Sequence, residues 1–495
     1  MLRKIRIALA AFFFVAVTFL FLDFTGLAHK YLSWTASLQF LPAVLALNVV
    51  VVALLVAVTL LIGRVYCSVI CPLGIMQDII AWFGRRGKKK RYKYSYSGEK
   101  RWLRYGFLAF FLVSLVAGLT SLAALIAPYS SYGRIAGNLM APIYRWGNNI
   151  LAYFAGRMDS YAFYGVDVWM KSLPVFIIAV VSFAVIAILA WRGGRTYCNT
   201  VCPVGTVLGL ISKYSLFTIR IDAEKCNRCG LCSRRCKSSC INGDSHTVDD
   251  SRCVVCMDCI ETCRHGAISF GLRRKRKTAE NKENTAGSSR RAFLATTSAL
   301  AVSSVVNAQK KKVDGGLAVI ADKQIPKRNT KIVPAGAWSI RHFEQHCTSC
   351  QLCVSACPNG VLRPSSDLSH FMQPEMSYER GYCRPECTRC SDVCPTSAIN
   401  PITREEKSST RIGHAVWVRK NCLPVSEGVS CGNCARHCPT GAILMVPMDA
   451  EDEKSLKIPV VNTERCIGCG ACENLCPSRP FSAIYVEGHE RHSQY

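Results

Sequence analysis

The cysteines constrain this chain more tightly than any other feature. Residues 226–263 read C-x2-C-x2-C-x3-C twice, as Cys226, Cys229, Cys232, Cys236 and then Cys253, Cys256, Cys259, Cys263. Three thiolates at this spacing hold three corners of one [4Fe–4S] cubane, and the fourth reaches across to a neighbouring cluster. The pattern assigns Cys226, Cys229, Cys232 and Cys263 to one cluster and Cys253, Cys256, Cys259 and Cys236 to the other. A structural zinc site usually shows two separated C-x2-C pairs instead. Lys237 and Arg264 stand where proline commonly follows the fourth cysteine, and their charge should raise each cluster's potential. Cys240 is left over without a role. Residues 335–487 carry the code four more times, now with proline after each fourth cysteine. These motifs are Cys347, Cys350, Cys353, Cys357; Cys383, Cys387, Cys390, Cys394; Cys422, Cys431, Cys434, Cys438; and Cys466, Cys469, Cys472, Cys476. They add four cubanes and bring the expected total to six. Spacing does not say which motif lends its fourth cysteine to which neighbour.

With 495 residues, 29 cysteines and 50% hydrophobic content, the chain is no small secreted disulfide scaffold. Its length suggests two to four domains. A net charge of +28 invites a nucleic-acid reading, but the charge is unevenly placed. Residues 1–309 hold 38 Lys+Arg against 14 Asp+Glu, and residues 310–495 hold 23 against 19. The excess accompanies long apolar stretches and a linker, as basic flanks that orient membrane helices do. No recognition motif goes with it, so nucleic acid is not an expected partner.

Four stretches, 5–22, 38–62, 103–126 and 173–191, have the length and apolarity of membrane spans. Loop 64–102 carries ten Lys/Arg, whereas loops 23–37 and 127–172 are poor in them. The expectation is a multi-pass bacterial inner-membrane protein with residues 64–102 and 192–290 cytoplasmic. Within this unit "GRVYCSVICPLG" (63–74) and "GRTYCNTVCPVG" (194–205) repeat one pattern, G-R-x-Y-C-x3-C-P-x-G. The repeat implies an internal duplication whose loops meet in space. Cys67, Cys71, Cys198 and Cys202 then form a further metal or cluster site, a redox thiol relay, or a structural group; all three readings stay open. In a reducing cytoplasm a disulfide is the weakest of the choices.

Residues 272–309 are a basic linker ending in "SSRRAFLATTSALAVSSVVNAQ" (288–309). The pair Arg290-Arg291, then Phe293-Leu294, a soft apolar run and a small-residue site at Ala308 form a twin-arginine export signal in mid-chain. A folded four-cluster domain needs such a route, so residues 310–495 are expected in the periplasm. Residues 292–308 are either cut off or kept as a fifth span. The expected fold class is therefore multidomain: an α-helical transmembrane bundle (1–205), and α+β bacterial-type [4Fe–4S] ferredoxin domains at 220–271 and 335–487.

Residues 1–270, with their two Y-C-x3-C-P loops and ferredoxin pair, resemble NapH-type membrane ferredoxins. The region from the twin arginines to about 487 resembles NapG/MauM-type four-cluster ferredoxins, so the chain is similar to a fusion of the two. The resemblance implies a membrane-bound electron-transfer protein. It would take electrons from the quinol pool and pass them through six [4Fe–4S] clusters to a periplasmic reductase, such as nitrate reductase, or a cytochrome. The twin-arginine export machinery would be a further partner. The alternative is an assembly or redox-maturation factor for a periplasmic or membrane metalloenzyme. No acid–base or nucleophile constellation stands apart from the cysteines, and no self-contained catalytic site is visible. His29 is the one histidine of the membrane unit, which argues against haem. Asp23, His29 and Tyr31 are the candidates for a quinol site, with an ordinary polar loop as the plainer reading. His346 and His437, beside cluster cysteines, read as supporting or surface groups. Two clusters inside and four outside leave about 30 Å of hydrocarbon between them, bridged by an unseen cofactor or by quinol itself.

Overall fold

Apolar runs become helices throughout the first 212 residues, but not always the helices that hydropathy suggests. The computed structural model describes residues 2–85, 94–273, 322–452 and 454–494. The first and fourth expected spans are single helices, Leu2–Leu22 and Leu173–Gly193, each 21 residues and apolar enough to cross a membrane by length and composition. The other two are not continuous, which corrects the four-span expectation. Stretch 38–62 divides into Phe40–Leu45 and Val49–Ile62. The break falls at Leu47, which takes a left-handed backbone, and at Asn48, whose side chain caps Val51 N at 3.2 Å. Stretch 103–126 divides into Arg101–Val116 and Thr120–Ile126, with Gly118 at φ 75° in the gap. Loop 127–172 is also corrected. It contains helix Pro128–Ile135, a π-helical turn Ala136–Met140 and helix Ala141–Arg157, joined end to end.

Much of this helical surface is apolar and outward-facing. Only 28% and 22% of the apolar windows of the two long helices are buried. Phe12, Val15, Val50, Val116, Ile143, Ile177 and Ile188 are all exposed. Soluble monomers rarely leave so much large apolar side chain in the open.

Residues 217–272 form the first cysteine-rich domain. Strands Phe217–Ile221 and Ile268–Leu272 pair antiparallel, and short helices Leu231–Arg235 and Asp258–Thr262 carry the third cysteine of each motif. The second domain holds three two-stranded sheets: Leu362–Pro364 with Pro374–Met376, Thr410–Trp417 with Ile484–Gln494, and Ile443–Pro447 with Lys457–Val461. Strands follow the fourth cysteine at "GAIL" and "SAIY", while "SAIN" forms none and Ser397 there is left-handed.

The two ferredoxin domains sit at opposite ends of helix Leu2–Leu22. Arg3 at its start pairs with Asp258 at 2.8 Å and Glu261 at 2.7 Å in the first domain. Phe21 near its end packs beside Gly133, where an added Cβ would run into the Cys350 carbonyl of the second. Those residues are about 27 Å apart along the axis, at 1.5 Å per residue. The second domain is tied down further by Thr120 Oγ1 donating to Glu344 O (3.0 Å), Asn138 Nδ2 to Gln351 Oε1 (3.0 Å) and Lys171 Nζ to Val354 O (3.0 Å). Linker residues beyond Arg273, and with them the twin-arginine stretch, lie outside the described residues.

His492, in the final strand, is half-buried, and both of its ring nitrogens are buried without a hydrogen bond. Burial, with His489 beside it, pushes its pKa down to about 4. The folded state therefore disfavours the proton that the unfolded chain takes up near pH 6.5. Stability of the second domain should be intact above pH 6.5 and fall as pH drops towards 4. Replacing His492 with Phe should flatten that part of a thermal-unfolding profile measured against pH.

Candidate metal centres

Each regular cysteine motif curls its backbone in the same way. The residues after the first and second cysteines are left-handed at matching places: Arg228 and Gly230, Val255 and Met257, Ser349 and Gln351, Gly468 and Gly470. Such a nest turns successive N–H groups inward and makes an anion-binding hollow; Ser349 N, for example, donates to Cys347 Sγ at 3.5 Å. Five of the eight positions are not glycine, so the motifs hold a backbone conformation that costs on the order of 1 kcal/mol or more per residue.

The fourth cysteines cross over in pairs. One pocket is lined by Cys226, Cys229, Cys232 and Cys263. Another is lined by Cys357, Cys383, Cys387 and Cys390, and a third by Cys422, Cys431, Cys434 and Cys476. The complementary sets also come together. Cys236 lies in electrostatic reach of Cys256 and Cys259, Cys394 of Cys347, Cys350 and Cys353, and Cys438 of Cys466 and Cys469. In the first domain Cys263 thus lies with the first motif's cysteines and Cys236 with the second motif's. In the second domain, where spacing left the matter open, the first motif exchanges with the second and the third with the fourth. The two halves meet where Cys383 N donates to Cys469 O at 2.9 Å. Burial pushes the Cys434 thiol up to about 11 and those of Cys256, Cys350 and Cys469 up to about 12. They ionise at neutral pH only when a metal takes the thiolate, so cluster binding releases protons.

Cys236 is different, and the cause is Cys240. Their sulfurs are 3.5 Å apart and both are buried. The hydrogen bond from Cys240 pulls Cys236 down to about 7. The residue that spacing left idle therefore supports the sulfur of an expected ligand. Lys237, next in sequence, is buried too, with Nζ 3.1 Å from Asp78 and 3.2 Å from Asp258. Arg264 is exposed.

The two G-R-x-Y-C-x3-C-P-x-G loops meet, as the repeat implies, and they do so reciprocally. Arg195 Nη1 donates to the Cys67 carbonyl, and Arg64 Nη2 to the Cys198 carbonyl. Cys71 and Cys202 precede helices Pro72–Phe83 and Pro203–Ser212, each with proline in the first helical position, where a missing N–H costs nothing. Gly74 and Gly205 are required because a Cβ there would strike the Cys67 or Cys198 carbonyl and the opposite loop's arginine. Gly63 and Gly194 end their helices at φ 85° and 66°. Tyr66 Oη accepts from Phe40 N, and Tyr197 Oη donates to Ile126 O at 2.8 Å, so each tyrosine holds the end of a short broken helix. All four cysteines are buried free thiols.

Asp23 and His29 approach one another at 3.5 Å; Asp23 is fully engaged, while His29 Nδ1 is buried without a hydrogen bond. Asp23 accepts from Thr25 N, Thr25 Oγ1, Gly26 N and Ala28 N, and His29 Nε2 bonds Leu20 O. Tyr31 is exposed. His346 and His437 bond the carbonyls of His342 and Asn433.

A 4Fe-4S binding domain family matches residues 44–91 and again 175–221, which are the two loop repeats with their preceding helices. A 4Fe-4S dicluster domain family matches residues 346–398 and 429–479. The methylamine utilization ferredoxin-type protein MauM of Methylobacillus flagellatus is 33% identical over 167 residues, 32% of this chain and 70% of that protein. The chain belongs to the MauM ferredoxin-type family. Ferredoxin-type protein NapF of Escherichia coli (strain K12) is 29% identical over 179 residues, 36% of this chain and 99% of its own. YccM of the same organism is 25% identical over 250 residues, 49% of this chain and 60% of YccM. This MauM-family chain is thus an iron–sulfur electron-transfer protein of the ferredoxin type.

Replacing Cys240 with Ala removes one hydrogen bond to sulfur and no expected ligand. Iron content should stay constant while one cluster's midpoint potential falls by about 40 mV, the equivalent of a bond worth about 1 kcal/mol. A redox titration followed by EPR reads both quantities.

Proposed function

We propose that this MauM-family chain is a membrane-bound electron conduit that takes electrons from the quinol pool. It would pass them through six [4Fe–4S] clusters to a reductase or cytochrome outside the cytoplasm. The observation that carries the reading is the placement of two ferredoxin domains at opposite ends of an apolar helix, with outward-facing apolar side chains between them. A lipid bilayer covers such a surface. The basic loop 64–102 and the first ferredoxin domain then face the cytoplasm, and residues 310–495 face the periplasm after export by the twin-arginine machinery.

In this reading the clusters are held by six thiolate sets. The first domain supplies Cys226, Cys229, Cys232, Cys263 and Cys253, Cys256, Cys259, Cys236. The second supplies Cys347, Cys350, Cys353, Cys394; Cys383, Cys387, Cys390, Cys357; Cys422, Cys431, Cys434, Cys476; and Cys466, Cys469, Cys472, Cys438. Each cluster supplies one-electron chemistry when bound. The chain's own residues fix the order of sites. The first-motif set of the second domain lies against the helical unit through Cys350, and the Cys383–Cys469 backbone bond joins the inner half of that domain to the outer half.

The test uses the whole chain, purified anaerobically in detergent. A short-chain quinol should reduce a substantial fraction of the clusters, read as EPR signals of reduced [4Fe–4S] centres. If no cluster is reduced, the conduit reading fails. A deletion strain whose partner enzyme lacks its metal, and is not merely starved of electrons, would favour the assembly role instead.

A further inference from the structure

We propose that quinol is oxidised in a recess between the helical unit and the first cysteine motif of the second domain, so that its electrons enter the four-cluster domain beside Cys347. The inference rests on the conduit reading for its substrate and deepens that reading by naming the site.

The recess is built from both halves of the chain. Leu41, Phe111 and Leu115 supply apolar walls from helices Phe40–Leu45 and Arg101–Val116, Thr120 stands at the start of helix Thr120–Ile126, and Cys347 and Thr348 of the second domain close the far side. It lies where the two expected spans break, beside the gaps at Leu47 and Gly118. A hollow that is mostly apolar, with a few polar groups at one end, suits a small amphipathic ligand. On the same segments Val44, Leu47, Val116 and Leu119 are exposed. The bilayer that covers them in the conduit reading gives a lipid-soluble ligand sideways entry, without a passage through water.

The polar end favours a quinol ring over a lipid chain. The Thr348 hydroxyl is buried without a close hydrogen-bond partner, in reach of the Cys350 sulfur. Thr120 Oγ1 donates to Glu344 O at 3.0 Å and accepts from Gln373 Nε2 at 2.8 Å. Gln373 is only 3% exposed, and its Oε1 is a further buried atom without a partner. Buried polar atoms left unpaired cost free energy that a ligand's own polar groups would return. An acyl chain has none to offer, whereas a quinol carries two hydroxyls on an otherwise apolar frame.

Charge supplies the independent observation. Arg134 is fully buried, and among the described residues its guanidinium bonds only Ala124 O (3.0 Å), Leu125 O (3.4 Å) and Ser131 Oγ (3.2 Å), with no carboxylate. Ala124 is itself in the wall of the recess. Arg134 also lies in electrostatic reach of Cys350. Unbalanced positive charge beside a thiolate set raises its potential, and a raised potential is what an acceptor of electrons from quinol, a mild reductant, requires. The set of Cys347, Cys350, Cys353 and Cys394 is thereby marked as the point of entry.

The step balances within the conduit reading. The two O–H bonds of quinol break and the two C=O bonds of quinone form. Its two electrons leave singly to oxidised [4Fe–4S] centres of the second domain, and its two protons pass to water at the outer face.

The whole chain in lipid nanodiscs tests the site with a photoactivatable short-chain azidoquinone and peptide mapping. Label should fall within residues 40–45, 111–120 or 345–348 and be displaced by excess unlabelled quinone. Label elsewhere, or label there that phospholipid displaces and quinone does not, overturns the site. Leu115→Trp fills the recess and should weaken probe binding about tenfold or more, with iron content unchanged. Equal binding in the folded variant overturns the site, and where the variant does not accumulate the labelling of the natural chain decides alone. If the label lands in the recess but quinol reduces no cluster, the conduit reading fails, and the oxidation step with it, while the binding site stands. If quinol reduces the clusters and the label lands elsewhere, the conduit reading stands and the recess is overturned.

Discussion

The rest of the structure depends on the clamp between two copies of one short loop. Each copy sends its arginine to the cysteine carbonyl of the other, and each leaves room for it with a glycine three residues after the second cysteine of its C-x3-C-P pair. This cross-over fastens the two halves of the helical unit. Their own helices then pack reciprocally, Pro72–Phe83 against Leu173–Gly193 and Pro203–Ser212 against Val49–Ile62. The same two arginines form the floor on which the first ferredoxin domain rests, through Ser251 and Lys237. Substituting either glycine with any larger residue would disturb packing, cysteine geometry and domain docking together.

Charge is the second organising force. Arg64, Arg104, Arg134 and Arg195 are all among the most buried side chains of the molecule, while Asp78 and Glu99 are the acids that answer them. Asp78 alone meets Arg195, Lys237 and, more distantly, Arg6. Such a cation-rich interior is costly unless further negative charge is present. Thiolate-bound clusters in the cysteine-rich domains would provide it. The same argument explains why lysine and not proline follows Cys236: Lys237 is a structural bolt between Asp78 and Asp258, as well as a positive charge near a cluster.

Much of the chemistry was legible in the residues, because cysteine spacing reports directly on the metal it wraps. The exchange partners in the second domain were not, since a fourth cysteine can return to any motif that folding brings near. Hydropathy counted apolar residues correctly but could not see breaks made by single backbone conformations, at Leu47 and Gly118. It also missed helices Pro128–Ile135 and Ala141–Arg157, whose Tyr, Ser, Gly and Asn content resembles a loop's. The loop pattern was visible, yet its arginines and final glycines had no assigned purpose until the two copies were seen side by side. Cys240 looked idle because its role depends on a neighbour held 3.5 Å away by the fold.

The central claim is that the chain itself carries electrons from quinol to its [4Fe–4S] clusters and on to an acceptor. The most direct test reconstitutes the whole protein in sealed vesicles loaded with a short-chain quinol, with a membrane-impermeant electron acceptor outside. The account predicts that the acceptor is reduced at a rate that follows the cluster content of the preparation. Reduction no faster than in protein-free vesicles, with the clusters intact, would contradict it.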